Sequence, residues 1–160
     1  MEEVEAEAKG KVVGRPHIAK VLVNKGYVKS MEEAFDRLLA GGRAAYVKKD
    51  KLSPEEGIAA VIDGGGIPVL AHPVLLGLNI KELDDLLGKL KSKGLKGIEA
   101  IYVENTNKDT GDYLSLATKH DLLVTGGSDF HGSFKPNIEL GSGYGNLKVP
   151  YALLERLGCK

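Results

Sequence analysis

The chain has 160 residues, of which 42% are hydrophobic and 28% charged, a composition typical of a soluble globular domain with a sizeable core. Its 22 basic and 22 acidic residues balance, which argues against a broad electrostatic surface for duplex DNA but not against a local phosphate site. The single cysteine, Cys159, offers neither a disulfide framework nor a cysteine metal cluster. With an acidic N-terminus and no apolar run near the roughly 20 residues of a membrane span, we expect a cytoplasmic protein.

The first fifty residues predict a mostly helical region. Pro16 suits the first turn of one helix, and Ser30 with Glu33 has the spacing of a capping box that begins the next. We therefore expect residues 1–50 to form a helical insertion or cap subdomain, followed by a second region over residues 51–160.

From Ser53 onwards, predicted strands alternate with helices of ten or more residues, which is the pattern of βα units around a parallel sheet. Ser53 and Pro54 have the residue types of a helix N-cap and first helical position. The predicted elements that follow are a strand over 67–71, a helix over 80–93, a strand over 97–102, a helix over 108–119, a strand over 122–125 and a last helix from Pro150.

Polar side chains stand at the ends of the three predicted strands. The first strand leads to His72, the second to Tyr102 and Glu104, and the third to Asp129 and His131. Because parallel strands end at one edge of a sheet, we expect these side chains to converge there, where α/β proteins place their chemistry.

The Asp129-Phe130-His131 stretch is the most informative of these ends. On an extended backbone Asp129 and His131 point to the same side and reach one metal ion or one substrate, while Phe130 faces the packing. Aspartate with histidine suits Zn, Mn or Fe, although a simple loop hydrogen bond is the alternative. Pro73 biases His72 towards the extended region, and the alternative for this imidazole is a buried bond to a backbone carbonyl.

A second group, Arg15, His17, Lys48 and Lys135, offers candidates for phosphate binding. Arginine presents a planar fork to phosphate oxygens and lysine a point charge. The alternatives are capping or packing for Arg15 and His17, and an ordinary charged loop for Lys48. His120, which precedes an aspartate at a helix end, is expected to be a solvated surface residue.

Three motifs, in chain order, resemble the PHP (polymerase and histidinol phosphatase) family: Gly-Arg-Pro-His-Ile-Ala at 14–19, Ala-His-Pro at 71–73 and Gly-Gly-Ser-Asp-Phe-His-Gly at 126–132. They are most similar to its bacterial branch of metal-dependent phosphoesterases, which includes nucleoside 3′,5′-bisphosphate phosphatases and 5′→3′ oligonucleotide exonucleases. The resemblance implies a distorted (β/α)7 barrel around a metal cluster. It places His72, Asp129 and His131 on metal ligands, and it places Arg15 and His17 on an insertion that helps hold the substrate phosphate.

The chain also departs from the family pattern. No His-x-His motif occurs, so the resemblance covers the C-terminal portion only, and we expect a partial PHP-type barrel of parallel βα units with a helical insertion. Asn105 stands where relatives often carry histidine. The expected cofactor is a divalent metal (Zn, Mn, Mg or Fe), whose site is fully occupied, partly occupied or empty. Asp129 and His131 are the catalytic candidates.

Three functions follow as hypotheses. The first is metal-dependent hydrolysis of a nucleotide or oligonucleotide phosphate, incomplete in this chain. The others are a truncated, inactive fragment and a phosphate- or nucleotide-binding module built on Arg15, His17 and Lys48. The expected partners are a phosphorylated small molecule or short oligonucleotide, no membrane, and a second copy of the chain that covers open sheet edges.

Overall fold

The computed structural model describes residues 2–8, 10, 12–48 and 51–158, which divide between two compact units, Met1–Lys51 and Leu52–Lys160. Asp50, where the predicted boundary falls, and Cys159 lie outside the described residues. Within that part of the chain, no helix combines the length and the apolar character needed to cross a membrane.

The elements of the described residues follow in chain order. The α-helices are α1 (Glu2–Ala8), α2 (Arg15–Asn24), α3 (Met31–Ala34), α4 (Pro54–Asp63), α5 (Ile80–Ser92), α6 (Asn107–Lys119) and α7 (Ala152–Arg156). The strands are β1 (Val69–Leu70), β2 (Gly97–Tyr102) and β3 (Leu123–Gly127). A π-helical turn at Phe35–Leu39 continues α3, and 3-10 turns occupy Pro73–Leu76 and Gly132–Phe134.

The described elements of the first unit are helical. The Ser30 hydroxyl accepts the Glu33 N–H at 3.2 Å and caps α3, but the Glu33 carboxylate accepts the Lys29 N–H at 2.6 Å instead of closing a reciprocal box. A small apolar core holds this unit together, with Ala19, Val28, Ala34 and Leu39 fully buried.

The second unit is an α/β fold whose three strands are all parallel, in the order β1-β2-β3, which confirms the predicted parallel sheet. The sheet is open. The predicted helices and strands recur in the structure, although β1 is reduced to two residues. A capping box between Ser53 and Glu56 begins α4, because each residue's side chain accepts the other's backbone N–H.

One apolar cluster joins helices α4, α5 and α6 to the central strand. Helix α5 contributes Leu83, Leu87 and Leu90, whose spacing sets them on one face of the helix. The other buried members are Ile58, Leu95, Ile98, Ala100, Tyr113, Leu116, Ala117 and Leu122. This core fixes β2, the strand from which the site is built.

Strands β2 and β3 are joined through a register shift. Glu99 pairs with Thr125, but the next pair is Ile101 with Gly126. A Cβ on Gly126 would lie only 2.6 Å from the carbonyl oxygen of Ile101, so no other residue fits there without moving the backbone. Gly126 is therefore required by the close approach of the two strands.

His120 is not the solvated surface residue that the sequence suggested. Its side chain is only 15% exposed, and its Nε2 lies 2.6 Å from Oδ1 of Asp84, while Lys119 Nζ lies 2.5 Å from Oδ2 of the same carboxylate. This cluster joins α5 to the end of α6. The bond from Lys119 and then the bond from His120 hold the pKa of Asp84 below its ordinary value.

We predict that Gly126→Ala destabilises the fold by about 1–3 kcal/mol, because its methyl group overlaps the Ile101 backbone. Urea denaturation at pH 7 measures this loss. Gly111→Ala is the matched control, since Gly111 is exposed in helix α6 with open space around it, and there alanine should stabilise the helix by about 0.5–1 kcal/mol. Equal effects of the two substitutions would contradict the proposed clash.

Asp84→Asn should destabilise the chain more at neutral pH than in acid. A carboxyl whose pKa is lowered on folding contributes stability above its unfolded pKa of about 3.9, and this contribution disappears as the pH falls through the lower folded value. Urea unfolding at pH 7 and at pH 3 measures the difference from wild type. Asp85→Asn, at an exposed position of the same helix, should show no such pH-dependent difference.

Candidate active site

The carboxyl edge of the sheet brings residues from all three strand ends together. Tyr102, the last residue of β2, donates its hydroxyl hydrogen to Oδ2 of Asp129 at 3.2 Å. The same oxygen accepts a bond from Lys135 Nζ at 2.6 Å. The His72 ring, just after β1, lies 5.8 Å from the Tyr102 ring between centroids. This carboxyl-edge cluster is thus His72, Tyr102, Asp129 and Lys135.

The backbones of His72 and Asp129 are not extended, which corrects the sequence-based expectation for both residues. Their φ angles are +32° and +51°, in the left-handed region that non-glycine residues rarely adopt. The preference that Pro73 imposes is therefore overridden. Phe130 is also not turned into the packing, because 45% of it is exposed. Such strained backbones cluster at functional sites, where the surrounding structure holds them in place.

Glu99 is the residue that holds His72, and the sequence analysis missed it. Its Oε2 accepts the His72 backbone N–H at 2.7 Å, which ties the strained turn after β1 to the central strand. A Cβ on Gly127 would come within 3.2 Å of Oε1, so the glycine leaves room for the carboxylate. The signal was present in the sequence, since a glutamate stands inside the otherwise apolar strand 97–102.

The ionisation states of the cluster follow from its surroundings. Burial raises the pKa of the Tyr102 hydroxyl above its ordinary value, and the charges of Asp129 and Glu104 raise it further, so Tyr102 stays protonated and donates. Partial burial opposes ionisation of Asp129. The bond from Lys135 and its positive charge outweigh that effect and hold the pKa of the Asp129 carboxyl below its ordinary value.

His131 turns back onto its own loop. Its Nδ1 lies 2.7 Å from the backbone carbonyl oxygen of Asp129 and 3.4 Å from Oδ1 of the same residue. A carbonyl oxygen only accepts, so Nδ1 carries the hydrogen and the neutral ring keeps its lone pair on Nε2. The predicted pairing of Asp129 with His131 is thus a contact within the loop.

The predicted metal ligands His72, Asp129 and His131 do not form a metal site in this structure. Among the described residues, no three histidine, cysteine, aspartate or glutamate side chains are grouped so that they could hold one ion. Oδ2 of Asp129 is bonded to an ammonium and a phenol, and Oδ1 faces the protonated Nδ1 of His131. These residues do not fit a divalent metal as they stand.

Arg15 is built into the packing of the first unit. Its Nη1 donates to the Leu39 carbonyl oxygen at 3.2 Å, and its guanidinium lies 5.9 Å and 5.8 Å from the ring centroids of Phe35 and Tyr46. Arg15 also lines a cavity of about 230 Å³, together with Tyr46 and Lys51. The sequence had given packing as the alternative to phosphate binding for this residue.

The other predicted phosphate-binding residues occupy different settings. His17 Nδ1 accepts the Gly14 N–H at 3.0 Å, which caps the start of α2. Lys48 is exposed. Lys135 bonds Asp129 in the second unit. Arg15, His17 and Lys48 thus belong to the first unit and Lys135 to the second, and a phosphate site shared by the four residues stays a prediction.

Asn105 follows β2 and forms a hydrogen bond to the backbone of that strand. Its Nδ2 donates to the Ala100 carbonyl oxygen at 2.9 Å. Its Oδ1 is buried, and it has no hydrogen-bond partner among the described residues. The side chain thus bonds the backbone of β2.

Comparisons with known proteins agree with the motifs. No protein-family model matches the sequence. The chain is 28% identical over 130 residues to a 3′,5′-nucleoside bisphosphate phosphatase of Chromobacterium violaceum, covering 81% of this chain and 46% of that protein. It is 33% identical over 141 residues to the 5′-3′ exoribonuclease Rnm of Escherichia coli, covering 88% and 48%. The chain spans about half the length of the curated relatives it matches.

Solved structures show the same relationship. A protein of Bifidobacterium adolescentis assigned as a metal-dependent phosphoesterase matches with a TM-score of 0.80 at 32% identity, over 99% of this chain and 55% of that one. An amidohydrolase of Chromobacterium violaceum, with bound sulfate and no metal, matches with a TM-score of 0.72 at 27% identity, over 91% and 50%. The relatives include a phosphatase, an exoribonuclease and a metal-dependent phosphoesterase, which confirms the predicted resemblance to the PHP family over a part of its length.

We predict that Glu99→Ala destabilises the chain by about 1–3 kcal/mol, because the His72 N–H loses a charged acceptor in a partly buried position. Urea unfolding measures the loss, and the His72 amide signal in a ¹H–¹⁵N spectrum should move upfield. Glu99→Gln keeps an acceptor oxygen and should lose less. A Glu99→Ala variant with wild-type stability and an unmoved His72 amide would show that the bond does not hold this turn.

Proposed function

We propose that the protein is a metal-dependent phosphoesterase that hydrolyses a phosphate ester of a nucleotide or short oligonucleotide. This chain then supplies one part of its active site, the carboxyl-edge cluster. The observation that carries the proposal is the meeting of His72, Tyr102 and Asp129 at one edge of the sheet. Two of the three family motifs end at this edge, and the relatives hydrolyse phosphate esters, as their names state.

The open sheet is proposed to be part of a (β/α)7 barrel. Both outer strands, β1 and β3, pair only with β2 among the described residues, so each leaves an edge that further strands can extend. The related structure from Bifidobacterium adolescentis has nearly twice the length that this chain matches, which supports the same proposal. A second copy of the chain at these edges stays a prediction, and sedimentation analysis tests it.

Within the proposed site, the described residues have separate tasks. Asp129 is held ionised by Lys135 and oriented by the protonated Tyr102 hydroxyl, which makes it the anionic group of the cluster. His131 presents the lone pair of Nε2 and is the candidate for moving a proton at the leaving oxygen. His72 is positioned through its backbone by Glu99.

A phosphate- or nucleotide-binding module is the second candidate, and one observation favours it. Arg15 lines a cavity of about 230 Å³ beside Lys51, and its bond to the Leu39 carbonyl uses only one of the five N–H groups of a guanidinium. Calorimetry with inorganic phosphate and with a nucleoside monophosphate, in the absence of metal, tests this candidate. Binding that Arg15→Met abolishes would favour it.

The enzyme proposal predicts phosphate release from adenosine 3′,5′-bisphosphate, or mononucleotide release from a short 5′-phosphorylated RNA, when Mn²⁺ is supplied. Asp129→Asn should lower the rate about 100-fold, since it removes the charge at the centre of the cluster. Chromatography of the products measures both reactions, and circular dichroism checks that the variant is folded.

Asp112→Asn is the matched control, because Asp112 pairs with Lys108 on the exposed surface of helix α6 and should leave the rate unchanged. An Asp129→Asn variant as active as wild type would overturn the assignment. A wild-type chain that releases no product with Mn²⁺, Zn²⁺, Mg²⁺ or Fe²⁺ would favour the truncated, inactive fragment.

A further inference from the structure

We infer that Lys135 is an internal counter-ion of Asp129 and that its ammonium keeps divalent metal ions off this carboxylate. The inference deepens the proposed function, since it concerns the regulation of the same site. It is tested by metal binding rather than by hydrolysis, so either proposal can fail without the other.

The contacts of Asp129 carry the inference. Lys135 Nζ lies 2.6 Å from Oδ2, and the Tyr102 hydroxyl bonds the same oxygen at 3.2 Å. On the other side, Nδ1 of His131 lies 3.4 Å from Oδ1. A divalent ion binds carboxylates through the lone pairs of these oxygens, and here two donors, the ammonium and the phenol, are bonded to Oδ2. The cation at Asp129 is therefore a side chain of the protein itself.

The pair is partly shielded from water. The Lys135 side chain is 33% exposed and that of Asp129 is 21% exposed. Ion pairs that are open to solvent contribute little, because water and salt screen them, whereas partly buried pairs are screened much less. A metal ion that binds Oδ2 of Asp129 has to break this pair and return the ammonium to solvent.

The chain fastens Lys135 in place on both sides. Its own N–H donates to the Gly132 carbonyl oxygen at 3.1 Å. Three residues further on, Ile138 is buried in one cluster with Tyr102 and Val103, and the Gly141 N–H donates to the buried Ser128 hydroxyl at 3.2 Å. The segment 132–141 thus returns to the carboxyl edge and holds the ammonium at Asp129. Because Lys135 and Asp129 belong to one chain, the ammonium has a high effective concentration at the carboxylate. A free metal ion has to compete with it.

The test measures the binding of Mn²⁺ to the full chain. Electron paramagnetic resonance of the free ion and calorimetry both give the dissociation constant. Lys135→Met removes the ammonium and leaves Asp129 uncompensated, so the dissociation constant for Mn²⁺ should fall about tenfold relative to wild type. The double variant Asp129→Asn with Lys135→Met should lose that gain. Lys108→Met, which breaks an exposed pair on helix α6, is the matched control and should bind Mn²⁺ as wild type does.

Two outcomes would overturn the inference. One is an equal affinity for Mn²⁺ in wild type and Lys135→Met, and the other is tight binding by wild type that Asp129→Asn abolishes. Thermal melting checks the fold of each variant. If Lys135→Met does not fold, Lys135→Gln takes its place, because it keeps an N–H donor for Oδ2 and loses only the charge; the same tenfold change is then expected.

Discussion

The parallel register between β2 and β3 is the constraint on which the rest of the site depends. A register shift within the pair sets Tyr102 opposite Gly127, and Gly126 permits it because only a glycine fits against the Ile101 carbonyl. Two residues further on, the chain reaches Asp129, whose carboxylate meets the Tyr102 hydroxyl. A slip of one residue would turn the following side chains to the other face of the sheet and separate these groups.

Strand β2 serves the core and the site at once. Ile98 and Ala100 are fully buried in the apolar cluster, while Glu99 and Tyr102 support the turns that follow the neighbouring strands. Core packing therefore fixes the position of the polar groups. The strained backbone of His72 persists because a carboxylate anchored in this rigid strand accepts its N–H, and the stability of the core offsets the local cost.

Much of the fold could be predicted from the sequence, and the site only in outline. Alternating apolar runs and helix caps gave the βα order, because these signals are local. The backbone of His72 could not be predicted, since a bond to Glu99, 27 residues away, decides it against the preference set by Pro73. His120 was wrongly placed in solvent for the same reason, because its partner Asp84 lies on another helix.

The sequence by itself determined the resemblance to the PHP family, the parallel sheet and the edge at which His72 and Asp129 would lie, because motifs, caps and hydrophobic periods depend on residues close together in the chain. Only the tertiary structure decided which groups touch. It gave Asp129 a lysine and a tyrosine as partners, where the motif had suggested a metal ion. The physical reason is that ion pairs and hydrogen bonds need contact within a few ångströms, and strand register and the return of segment 132–141 set those distances.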